Sequence, residues 1–114
     1  YGDRLSADGS RWWSGGLHGP TPRVFDRNNS FIAYCSHEPD IRNAWFTRDS
    51  KSLVSMHTDG KWVRWDLSHV KDKRAAPVTI RDLQIANATL ITLMNTHDSI
   101  ISMEQDGKAW LYPI

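Results

Sequence analysis

Two residues of this chain, His37 and Asp59, have the types needed for general acid–base work: an imidazole that titrates near neutrality and a carboxylate that could orient it. Little else supports a reaction. The five histidines, His18, His37, His57, His69 and His97, are scattered, and Cys35 is the only cysteine. No metal-ligand spacing exists, so no metal and no other cofactor is expected. There is no Gly-rich phosphate loop, nucleophile elbow or paired-carboxylate motif, and Gly15-Gly16 reads as the end of a strand rather than as a phosphate cradle. No catalytic residue is assigned, and the chain is not expected to be an enzyme.

The remaining chemistry is that of binding. Six tryptophans in 114 residues, Trp12, Trp13, Trp45, Trp62, Trp65 and Trp110, imply a substantial core or a surface able to stack on sugars, bases or peptides. The segment Ser68–Pro77 concentrates His69, Lys71, Lys73 and Arg74 beside Asp72. It reads as a long solvated loop that could be altered without loss of folding, and that could also take an acidic peptide or a nucleic-acid backbone. The net charge of +1 gives no global attraction to nucleic acid or to anionic membrane. One cysteine excludes an internal disulfide and fits a reducing, intracellular compartment, cytoplasmic or nuclear. No apolar run approaches the ~20 residues that span a bilayer.

These residues sit on a repeating scaffold. Ala44–Leu67 moved forward by 47 positions falls on Ile91–Ile114 without a gap. Ser52, Ser55, Met56, Asp59, Gly60 and Lys61 land on Ser99, Ser102, Met103, Asp106, Gly107 and Lys108, and Trp65 lands on Tyr112. A weaker copy lies upstream: Ser6–Ser14 matches Thr47–Ser55, and Arg23–Asp26 matches Val63–Asp66 after one extra residue. Repeats of ~40–47 residues lie in the range of propeller blades. Each repeat reads as short strands, among them Ser52–His57, Lys61–Asp66 and Ser99–Glu104, separated by turns at Asp59-Gly60 and Asp106-Gly107. No helix is expected. The strands are apolar on both faces, as sheets packed between two neighbours are.

The stretch His37–Leu67 resembles one complete repeat of the WD-repeat β-propeller family. It holds a histidine, a hydrophobic strand at Ile41–Thr47, the turn Arg48–Lys51, Leu53-Val54-Ser55, Asp59-Gly60, and the closing Trp65-Asp66-Leu67. Arg23–Asp26 resembles the same closing strand with Phe25 in place of tryptophan. The resemblance implies an all-β fold of about three four-stranded antiparallel blades, 1–36, 37–85 and 86–114, the last lacking its outer strand. Three blades do not close a ring, so the chain is expected to be the C-terminal part of a larger propeller.

The resemblance also implies a buried hydrogen-bond network of histidine, strand hydroxyl, turn aspartate and tryptophan. His37, Asp59 and Trp65 match it. The hydroxyl falls on His57 in strict alignment, with Ser55 two residues earlier. Asp106 is the aspartate of the last repeat, where Gln84 and Tyr112 replace histidine and tryptophan. Under this reading the His37/Asp59 pair is structural. Most of the tryptophans are expected in the core, Trp65 and Trp110 in inner-packed strands, with Trp45 and Trp62 the two of the six that could reach the surface. Glu38, Asp40, Thr58 and Trp62 fall on rims where partners dock, and Lys71, Lys73 and Arg74 on the long loop.

The function implied is a non-catalytic scaffold for protein–protein interaction, its partners being other proteins or the remaining blades. Two alternatives stand beside it: a propeller that binds a glycan or peptide through exposed tryptophan, and a scaffold of a nucleoprotein complex that uses the basic segment 68–77. Nucleic acid is not specifically indicated, and no membrane association is expected.

Overall fold

A computed structural model of the chain describes residues 4–15, 22–35, 41–57, 60–82, 88–94 and 99–114, with backbone alone at 79–82 and 88–94. Among them the fold is all-β, with no α-helix. Ten strands are present: β1 Arg11–Ser14, β2 Arg23–Asp26, β3 Phe31–Tyr34, β4 Ile41–Phe46, β5 Ser52–His57, β6 Lys61–Lys71, β7 Arg74–Asp82, β8 Ala88–Met94, β9 Ser99–Glu104 and β10 Ala109–Pro113. They form a strongly curled seven-stranded sheet, in the order β1-β2-β3-β7-β6-β5-β4, and a three-stranded sheet, β10-β9-β8.

Every pairing but one is antiparallel between chain neighbours. The exception is the parallel contact of β3 with β7, a single pair at Tyr34 and Arg74, backed by Tyr34 N–H donating to the Lys73 carbonyl at 2.7 Å. The large sheet is therefore a three-stranded meander, β1–β3, joined along one short seam to a four-stranded meander, β4–β7.

Three turns that join neighbouring strands share one device. Asp26–Ser30, His57–Lys61 and Glu104–Lys108 each close with the fourth residue's N–H on the first residue's carbonyl, at 3.0, 3.0 and 3.1 Å. That fourth residue has positive φ: 63° at Asn29, 90° at Gly60 and 88° at Gly107. A left-handed residue there matches the right-handed twist of the flanking strands, which is why Asp-Gly was readable as a turn.

Curling of the large sheet encloses one core. Trp13, Val24, Ala33 and Cys35 from the first meander meet Ala44, Phe46, Leu53, Val63, Trp65, Leu67 and Ala75 from the second. A second core lies on the opposite face of the second meander, where Trp45, Val54 and Trp62 pack with Ile100, Tyr112 and Ile114 of the small sheet. Because side chains alternate along a strand, β5 sends Leu53 and Ser55 to the first core and Val54 and Met56 to the second. Likewise β6 sends Val63, Trp65 and Leu67 one way and Trp62 the other.

Three expectations are corrected here. Trp62 and Trp45 are not surface residues: they are 1% and 6% exposed, and their rings stack at 5.5 Å. Trp62 follows a turn, but its pairing with Met56 turns it into the second core. Trp110 is not inner-packed: it is 50% exposed, because β10 is the edge strand of the small sheet. Ser68–Pro77 is not a loop. It is the paired end of β6 and β7, with a register shift between Asp66 and Val70 and a tip at Asp72-Lys73, both with positive φ. Ala75 is buried and Val70 packs on the first core, so apolar burial holds this hairpin down.

Trp62→Ala should therefore cost about 3–5 kcal/mol, the usual range for emptying a packed aromatic site. Trp110→Ala should cost less than about 1 kcal/mol, as half-exposed positions do. Urea denaturation of both variants checks this, and equal losses would contradict the placement of the two rings.

Candidate functional site

The polar centre of the fold lies on the first-core side of the second meander. Trp65 donates its indole N–H to the Ser55 hydroxyl at 2.8 Å, and that hydroxyl lies 2.7 Å from His57 Nε2. Ser55 is 0% and His57 1% exposed. The geometry follows from register: Leu53 pairs with Trp65 and Ser55 with Val63, so Trp65 and Ser55 share a face one step apart. A serine and a histidine at this distance could form a nucleophile and base, but the hydroxyl already accepts from Trp65 and is sealed from solvent. The arrangement gives a buried indole and a buried imidazole a shared hydroxyl partner.

The described bonds join Trp65, Ser55 and His57, the last being the residue that sequence alignment placed at the hydroxyl position. His37 and Asp59 lie outside the described residues, as do Glu38, Asp40, Thr58 and Gln84. Asp106 sits in an exposed turn, accepting from Lys108 N–H at 3.0 Å with Lys108 Nζ at 3.9 Å. Ser102, which matches Ser55 in the next repeat, is fully buried and its hydroxyl has no hydrogen-bond partner among the described residues.

A second polar feature was not singled out from sequence as a site. Asp8 accepts from the Ser10 hydroxyl at 2.6 Å, Ser10 N–H at 2.9 Å and the Ser6 hydroxyl at 2.9 Å. Asp49 does the same one repeat later, with the Thr47 hydroxyl at 2.7 Å and Lys51 N–H at 2.9 Å. Ser50 of the second turn also donates to Asp8 at 3.1 Å, tying the two turns together. The Ser10 hydroxyl, then Ser10 N–H, then Ser6 hold the Asp8 carboxyl well below the usual carboxylate range. Asp49 is lowered chiefly by the Thr47 hydroxyl. Asp66 is lowered chiefly by Ser68 N–H, and next by His69, whose Nδ1 lies 2.6 Å from it.

Burial pushes the Cys35 thiol up to about 12, which keeps it protonated and unreactive near neutral pH. Among the described residues no group of three His, Cys, Asp or Glu could hold a metal ion, and no helix is long and apolar enough to cross a membrane. Of the proposed partner-binding residues, Trp62 is buried, whereas Lys71, Lys73 and Arg74 are exposed together at the hairpin tip. Compared with known proteins, the chain matches no family model and no curated protein sequence.

Two outcomes follow. Ser55→Ala removes the buried hydroxyl shared by the Trp65 indole and His57, and should cost ~1–3 kcal/mol. Ser102→Ala removes a hydroxyl that is bonded to nothing described, and should be neutral or stabilising. Denaturation midpoints of the two variants test the pair, and a larger loss at Ser102 would refute the assignment. The second outcome concerns acid. Because the folded Asp8 titrates below its unfolded value of ~3.9, its contribution is complete above that value and declines as pH falls toward the folded one. The Tm difference between the native chain and Asp8→Asn should therefore hold near neutrality and narrow steadily below about pH 4. A gap that stays constant through that range would show that the carboxylate charge is idle.

Proposed function

We propose that this chain is part of a WD-repeat β-propeller, with blades at 1–36, 37–85 and 86–114, and that it serves as a non-catalytic platform for protein–protein interaction inside the cell. The observation that carries this reading is the double burial of the second meander. Its Val54, Trp45 and Trp62 are covered by the small sheet exactly where the 47-residue repeat puts Ile101, Thr92 and Ala109 on the small sheet itself. Val54 is 0% exposed, but Ile101 is only half-buried, and Leu111, the counterpart of Arg64, is 64% exposed. A face built to be covered by a following blade accounts for an apolar residue left in water.

The buried serine–histidine–tryptophan chain supports a structural rather than catalytic centre, and burial of Trp62 and Trp45 takes both rings away from any glycan or peptide. Sedimentation velocity tests the reading. The 114-residue chain should associate with rising concentration, and Leu111→Lys should shift it toward monomer. A compact monomer throughout the micromolar range would remove the need for further blades.

A further inference from the structure

We propose that a row of side chains crossing the seam between the two meanders, Arg23, Tyr34, Arg74 and Lys71, binds single-stranded nucleic acid. Register places them side by side. Arg23 is opposite Tyr34 on β2–β3, Tyr34 is opposite Arg74 on β3–β7, and Arg74 is opposite Lys71 on β7–β6. Directly paired residues share a face, and this face points away from the first core, since the neighbours Val24, Ala33 and Ala75 fill that core. All four residues are exposed, as is Lys73 at the hairpin tip. With strands ~4.8 Å apart, four strands make a band roughly 14 Å long.

Within the row itself every charged side chain is a cation. Among the described residues none of these cations forms an ion pair, and the neighbouring Asp66 is already held by Ser68 and His69. Asp72, at the tip, is the only acidic residue of the turn. Cations that the sheet aligns in a row, without an ion pair among the described residues, suit a ligand bearing several negative charges. Tyr34 decides which ligand. Its ring stands between Arg23 and Arg74 and is 36% exposed, and it is braced edge-on by Phe31 at 4.7 Å. Behind Phe31 the same face continues through Phe25 at 5.9 Å to Trp12, stacked on Phe25 at 4.4 Å. A fixed aromatic flanked by cations is the arrangement that takes a base on its ring and phosphates on either side. An acidic peptide would use the cations and have no need of the ring. The site is independent of the propeller reading, because all four residues belong to the one seven-stranded sheet.

Fluorescence anisotropy with a labelled short oligouridylate, on the full chain, tests this. Binding should weaken as salt rises, with a log–log slope of about −2 for three phosphate contacts at ~0.7 each. Replacing Arg74 and Lys71 together by Gln should flatten that slope by about 1.4. Tyr34→Ala should weaken binding about tenfold, and Tyr34→Phe, which keeps the ring, should restore most of it. Circular dichroism of each variant should match the native chain. Absence of oligouridylate binding at about 50 mM salt would overturn the proposal. So would binding that is indifferent to Tyr34→Ala and equalled by a polyglutamate peptide, since the band would then be an acidic-peptide site.

Discussion

The centre of the four-stranded meander β4–β7 is buried on both faces, and that constraint governs the rest of the molecule. Phe46, Leu53, Val63 and Trp65 are committed to one core and Trp45, Val54 and Trp62 to another. A half-exposed sheet leaves every second position to water; β5 does not, being buried at every position but Met56, which is partly so. Register becomes correspondingly strict. A one-residue slip of β5 would exchange Leu53 with Val54 and carry Ser55 away from Trp65, disturbing both cores and the buried hydrogen bonds of Ser55 at once. Curvature follows as well: the first meander wraps over one face while the small sheet closes the other.

The repeat preserves side-chain positions more faithfully than it preserves what those side chains do. Ser55 and Ser102 occupy the same place, but Ser55 joins an indole to an imidazole, whereas Ser102 faces a repeat in which Tyr112 replaces the tryptophan. A tyrosine carries its polar atom at the far end of its ring, so it cannot deliver a donor where the Trp65 indole does. The turns behave differently. Asp8 and Asp49 reproduce the same hydroxyl and N–H bonds from different neighbours, Ser6 in one and Thr47 in the other, because either hydroxyl can reach a carboxylate two residues away. Short-range polar geometry survives substitution, and long-range partnership does not.

This difference explains what could be read from the chain. The hairpins around Gly60 and Gly107 were legible because one local residue type fixes the turn, and β2, β5 and β9 fall on the segments their apolar and β-branched residues marked. The all-β class followed from them. Where a tryptophan ends up was less legible, because exposure is decided by the strand's neighbours: Trp62 is covered by a sheet far along the chain, and Trp110 sits on an edge that nothing described covers. The hairpin tip was missed for a third reason. Asp72 and Lys73 both adopt positive φ without glycine or asparagine, so the tip carries no turn signal. What holds it is burial of Val70 and Ala75 against distant Trp13, Val24 and Ala33, which no local pattern announces.

Burial of that hairpin gives it a structural part at the joint. Besides the first core, the described bonds between the two meanders are few: the Tyr34 N–H on Lys73, and Ser50 on Asp8. The first lies under the cationic row, so the backbone that joins the meanders also sets the spacing of Tyr34 and Arg74. A ligand lying across that row would bind only while the joint is closed. By mass action it would then stabilise the joint in proportion to the logarithm of its concentration over its dissociation constant. Tightening the joint would in turn present the row in a single geometry and lower the entropic cost of binding. Packing of Val70 and Ala75 and display of Arg74 and Lys71 are thus opposite faces of one short pairing: the inward residues fix the register that places the outward ones.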